Sequence, residues 1–189
     1  MLFNIRLVTS LVLVKVLIFS FSINAQYLDR TNFSTSPITL VDFKNAFNGD
    51  NGKVRLVILF SPTWGQCISG AGAVQQDILE KISSDDLQIY VIWQRILSND
   101  TLESAQKAAK MLFNDGRVQH MWDPFHTMGL WYKGAGDLEH KDPLVWDAYY
   151  LYASDASWME NPTGLIDAGS TVWELKERLT ESVTSIISK

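Results

Sequence analysis

The chain has 189 residues, with 21 acidic against 16 basic side chains, a formal net charge of −5 and 47% hydrophobic residues. That is enough for one domain with a substantial core, and no basic patch appears, which argues against a nucleic-acid partner. Seven tryptophans make it rich in aromatics, while a single cysteine, Cys67, excludes an internal disulfide.

The first 25 residues carry Arg6 and Lys15 and no acidic residue, then the apolar run Val16–Ser22, and close on Ile23-Asn24-Ala25 before Gln26. This is the pattern of a secretory signal peptide with a small-residue cleavage site. Lys15 breaks the apolar run and leaves it short for a span of roughly 20 residues. The mature chain is therefore expected to start at about Gln26, more acidic than the full sequence and with no membrane span. No cysteine follows the apolar run, which argues against a lipid anchor. The reading is of an exported protein, with the periplasm favoured over secretion. Export permits disulfides, so any disulfide of Cys67 must be to another molecule.

Residues 26–38 read as a polar lead-in and 39–189 as one domain. Thr39 with Asp42 three residues on predicts a helix start, and Leu40, Phe43 and Phe47 fall on one helical face. Asn48–Gly52 is a turn cluster. Lys53–Phe60 is nearly all apolar from Leu56 onward, the mark of a strand covered on both faces. Then comes Ser61-Pro62-Thr63-Trp64-Gly65-Gln66-Cys67, followed by Ile68, Ala71, Val74, Ile78 and Ile82 at helical spacing. Asp86–Gln94 predicts a second buried strand. Asn99-Asp100-Thr101 predicts a cap on a helix carrying Leu102, Ala105, Ala109 and Leu112. Arg117–Asp123 reads as a third strand, Pro124–Tyr132 as a helix, Gly134–Pro143 as a loop and Trp146–Ala153 as an aromatic-rich strand. A last short strand is expected near Trp158, and Thr171 with Glu174 is expected to open the final helix.

The order α-β-α-β-α-β-α-β-β-α predicts an α/β sandwich with a partly parallel sheet. The last two strands are too close for a helical crossover and should form an antiparallel hairpin. That order, with W-x-x-C after the first core strand, resembles the thioredoxin-like fold family: a three-layer α/β/α sandwich with a mixed central sheet. The likeness runs from about Thr39 to Lys189. It is nearest to exported members in which Ser-Pro-Thr precedes a cysteine or selenocysteine, two residues and a cysteine. "SPTWGQCISGA", "HMWDP" and "WDAYYLY" fit that branch.

In that family the first thiol attacks a substrate disulfide and the second, one helical turn on, resolves the mixed disulfide. The helix N-terminus favours the thiolate. By this resemblance Cys67 is the resolving position and Trp64 stands where the first thiol or selenol belongs. Thr63, Gly65, Gln66, Trp146 and Asp147 are the expected contacts to a protein or peptide thiol or disulfide. The family's buried carboxylate on the first core strand falls at Ile58, so that proton shuttle is missing. Pro143 lies a few residues early for the family's cis-proline, and Trp146 or Asp147 falls in its place. No cofactor is implied.

Three readings of the site stay open. Cys67 is a buried, inert thiol, as free cysteines commonly are. Alternatively, it is a one-thiol site forming mixed disulfides. Or position 64 is selenocysteine: its codon, UGA, is read as tryptophan in some genetic codes, and the natural chain would then carry a competent pair. A non-enzymatic alternative makes Trp64 part of an aromatic binding lip with Trp122, Trp131, Trp146 and Tyr149 near it, whereas Tyr149 and Trp93 are the more natural core residues. Cys67, His120 and Asp123 are too few and too disparate to predict a metal. "SGAG" at Ser69–Gly72 reads as close helix packing rather than a phosphate loop, and no G-x-S-x-G marks a hydrolase.

Overall fold

A computed structural model of the chain describes residues 32–188; the expected signal peptide and the start of the lead-in lie outside the described residues. Six strands form one mixed sheet: β1 (Asn32–Pro37), β2 (Val54–Phe60), β3 (Leu87–Gln94), β4 (Val118–Asp123), β5 (Ala148–Tyr152) and β6 (Leu165–Ser170), in the spatial order β1-β4-β3-β2-β5-β6. β1, β4, β3 and β2 run parallel, and β5 and β6 are antiparallel, joined as the expected hairpin. Five helices cover the sheet: α1 (Leu40–Gly49), α2 (Gly65–Ala73), α3 (Leu102–Leu112), α4 (Thr127–Ala135) and α5 (Lys176–Ile187). The α2 helix runs on into a π-helical stretch, Val74–Leu79.

The centre of the sheet is buried on both faces, as the apolar run of β2 requires. Strand alternation sends Leu56, Ile58 and Phe60 into a core with Cys67, Val74 and Leu179, under α2, α3 and α5. Val57 and Leu59 enter the opposite core with Phe43, Phe47, Met128 and Tyr132, under α1 and α4. Arg55, also on that side, is buried, and its guanidinium donates to the carbonyls of Phe47 (3.0 Å), Ala153 (2.8 Å) and Ser154 (3.0 Å). A buried charge needs such partners.

The helix starts follow their local chemistry. Thr39 Oγ1 accepts the Asp42 N–H at 3.1 Å, capping α1. Thr101 and Ser104 form a reciprocal cap on α3, with Thr101 Oγ1 accepting the Ser104 N–H and Ser104 Oγ accepting the Thr101 N–H.

Four boundaries differ from the sequence reading. β1 lies inside the expected lead-in: Asn32–Pro37 pairs with β4 at the sheet edge and is largely exposed, so it carries no apolar alternation. The last strand is Leu165–Ser170, while Trp158 makes only an isolated bridge to Pro162 and is buried against Phe43, Phe47 and Trp131. The final helix begins at Lys176 rather than Thr171. The α4 helix begins at Thr127, where the Asp123 carboxylate accepts the N–H groups of Thr127 (2.8 Å) and Met128 (2.9 Å). Among the described residues, no helix is long and apolar enough to cross a membrane.

Candidate active site

The end of β2 delivers the chain to the surface at Ser61–Thr63, and α2 begins at Gly65 with Trp64 as its N-cap. The turn is held from below by Asp100. This buried carboxylate accepts hydrogen bonds from Ser61 Oγ (2.8 Å), Thr63 Oγ1 (2.6 Å), and the N–H groups of Ile96 (3.0 Å) and Leu97 (2.8 Å). Ser61 Oγ in turn accepts the Trp64 N–H at 3.1 Å. One carboxylate thus ties the β2–α2 turn to the loop after β3. Sequence reasoning placed Asp100 only in a helix cap; two hydroxyls flanking a proline were the signal that a buried acceptor was needed.

Trp64, Gly65 and Gln66 are exposed, with Trp64 39% accessible. Cys67, one turn into α2, is completely buried. Residue 64 is therefore the position that meets solvent, and residue 67 lies beneath it. Burial pushes the Cys67 thiol far up, and the neighbouring charge of Asp147 adds to this, against a lowering by a hydrogen bond from the Ser61 backbone. Such a thiol is a poor nucleophile at neutral pH.

Asp147 precedes β5 and is buried, and its charge acts on the buried Cys67 thiol. Its Oδ1 accepts the Val172 N–H at 3.3 Å. Its backbone is left-handed, at φ 48°, a region aspartate tolerates better than most residues. Burial raises its carboxyl to about 6, opposed by the bonds from Val172 and Cys67 and assisted by the charge of Glu174. Ile58, at the family's usual carboxylate position, is wholly buried in the same core. The peptide before Pro143 is trans.

Of the other residues expected at the site, Thr63 is half-buried in the Asp100 network, and Trp146 is half-buried with its ring edge-to-face on Trp64, 5.8 Å between centroids. Trp146 Nε1 donates to Asp142 at 2.7 Å. Beside this pair lies a cavity of about 290 Å³ lined by Ile96, His126, Asp142, Pro143, Leu144 and Trp146. The remaining aromatics do not join the rim. Trp131 packs on Trp158 and Tyr132, Trp122 and Trp93 are core, and buried Tyr149 donates to Asp167 at 2.9 Å. Buried His120 accepts from Trp93 Nε1 at 3.2 Å inside an aromatic cluster with Phe113, while Asp123 caps α4. Among the described residues, no group of three His, Cys, Asp or Glu is placed to hold a metal.

No protein-family model matches the sequence, and no curated protein matches it. Solved structures do match. A Bacteroides thetaiotaomicron protein proposed to be a disulfide isomerase is 14% identical, covering 76% of this chain and 79% of its own, with a TM-score of 0.54. A thioredoxin-like protein in its oxidised form is 14% identical, covering 80% and 88%, with a TM-score of 0.50. A secreted Mycobacterium tuberculosis disulfide oxidoreductase homologous to Escherichia coli DsbE, also 14% identical, covers 72% and 84% with a TM-score of 0.45. The fold is thioredoxin-like: a mixed six-stranded sheet between two helical layers.

Proposed function

We propose that this is an exported thiol–disulfide redox protein in which residue 64 is the attacking position, Cys67 the resolving thiol, and selenocysteine the natural occupant of position 64. The observation that carries the reading is the division of the W-x-x-C turn. Position 64 is exposed at the N-cap of α2, and Cys67 is fully buried one turn on. A resolving thiol can be buried, because it reacts only with a bond formed at position 64. A thiol acting alone on outside disulfides needs access, which Cys67 lacks. The one-thiol mechanism is therefore disfavoured, and tryptophan at 64 leaves the chain as written redox-silent. The substrate class is a protein or peptide disulfide, and the leader-like first 25 residues support export.

The deciding experiment is the codon at position 64. UGA supports selenocysteine, and UGG removes it. Mass spectrometry of the protein from its native host reads the same residue and checks a mature N-terminus at about Gln26.

A second reading is carried by the edge-to-face pair of Trp64 and Trp146 beside the cavity. If codon 64 is UGG, the chain is a thioredoxin-fold module that binds a peptide or partner protein through that rim. Its signature is peptide binding lost in Trp64→Ala, with no disulfide reduction by the Trp64→Cys variant.

A further inference from the structure

We infer that His140 and Asp142 are positioning residues for Trp146, and that a proton on His140 sets how firmly they hold it against position 64. The clamp lies at the rim of the Trp64–Cys67 turn, so its bearing on function rests on the reading of that turn as the site. Trp146 is bracketed at both of its polar ends. Its indole Nε1 donates to Asp142 Oδ2 at 2.7 Å, and its carbonyl accepts from His140 Nε2 at 3.0 Å. A carbonyl only accepts, so Nε2 carries a proton in every state of this contact. In neutral His140 the other ring nitrogen, Nδ1, is then a bare acceptor. It is buried, has no hydrogen-bond partner among the described residues, and lies 4.0 Å from the same Asp142 oxygen. Two acceptors thus face each other, beside a side chain only 9% exposed.

A proton taken up from solvent at Nδ1 removes that mismatch. It turns the acceptor into a donor and the neutral ring into a cation beside a carboxylate, and Asp142 Oδ2 accepts from His140 and Trp146 together. Histidine is the side chain that makes this change between pH 5 and 8. With the proton bound, His140, Asp142 and Trp146 close into one ring of contacts, which fixes the Trp146 indole edge-to-face on Trp64. Without it, only the two bonds to Trp146 remain. The other charged or titratable groups around the clamp are Lys133 of α4, which donates to the His140 carbonyl, the exposed chain neighbours Glu139 and Lys141, and His126, which lines the same cavity as Asp142 and Trp146. The Asp142 side chain is 51% exposed, so its pull on the histidine is that of a partly screened pair.

The test follows the Trp146 indole N–H resonance of the chain as written, assigned with Trp146→Phe, from about pH 5 to about pH 8. The resonance should titrate, and the NOE between the Trp64 and Trp146 rings should be stronger at the acid end. Protection of the indole N–H against exchange should be about threefold higher there, the size expected of a partly exposed ion pair. These effects should be lost in His140→Gln, whose amide still reaches the Trp146 carbonyl but gains no proton. They should fall about twofold or more in Asp142→Asn, which keeps an acceptor for Nε1 without the charge. A resonance that does not move, or that titrates equally in either variant, overturns the assignment. Titration lost in His126→Gln instead puts the proton on the other histidine and overturns it as well. Should His140→Gln fail to fold, the unsubstituted chain, Asp142→Asn and His126→Gln decide the matter. An unmoved indole with a UGA codon at position 64 removes the clamp and leaves the redox reading. A titrating indole with a UGG codon removes the redox reading and leaves the clamp.

Discussion

Two buried carboxylates govern the site, and they do so differently. Asp100 is a structural acceptor with four donors aimed at it. Asp100→Ala leaves those donors unpaired and should cost about 2–5 kcal/mol of stability, by analogy with breaking buried hydrogen-bonded charges; chemical denaturation measures it. Asp147 is raised to about 6 by burial, above the roughly 3.9 of an unfolded aspartate. A raised carboxyl favours the folded state when protonated. Its stabilisation is complete below about pH 4 and is lost as pH rises through about 6. Asp147→Asn removes that dependence. Between pH 4 and pH 7.5 the unsubstituted chain should lose about 1–3 kcal/mol relative to the variant, read from urea midpoints at the two pH values. Cys67 itself should react with a thiol probe only after unfolding, because it has no exposed surface in the native state.

At the level of elements, the loop before β5 is stitched to α4 at one glycine. The Val145 N–H donates to the Gly129 carbonyl at 3.0 Å, and the Gln94 amide bridges the Gly129 N–H and the Val145 carbonyl at 2.9 and 3.0 Å. A Cβ at Gly129 would lie 2.4 Å from the Gln94 side-chain amide and 2.7 Å from the Val145 carbonyl oxygen. Gly129→Ala should therefore destabilise by about 1–3 kcal/mol as an overpacked contact. It should also loosen Trp146 against Trp64, seen as a change in tryptophan fluorescence. The same level explains two strands that were hard to read. β1 is an exposed edge strand without a hydrophobic face. β6 reads poorly because it holds Asp167 and Gly169. Asp167 is buried as the acceptor for Tyr149, Ser182 and Arg178. Gly169 makes room for the Tyr149 ring, since a Cβ there would lie 2.9 Å from it. Polar and glycine residues that tertiary partners require look like turn residues in one dimension.

For the whole molecule, a single cysteine means that no internal disulfide contributes to stability. The melting temperature of the chain as written should be the same in oxidising and reducing buffer. Trp64→Cys should make it differ, because oxidation then joins residues 64 and 67. Equal melting temperatures for the variant in both buffers would show that the turn does not bring the two positions within bonding geometry.

The sequence by itself determined the buried strands β2, β3 and β5, the caps at Thr39 and Thr101, the terminal hairpin and the W-x-x-C turn at a helix start. These rest on local periodicity and local side-chain chemistry, which a linear pattern records. Only the tertiary structure decided which charge acts on the thiol. Asp147 is eighty residues from Cys67 in the chain, and no local rule joins a residue before β5 to the first turn of α2. The antiparallel pairing of β5 with β2 carries it there. It also decided which tryptophans form the rim. Trp64 and Trp146 share the loops at one end of the sheet, while the interior took the others because two faces of apolar strand had to be covered.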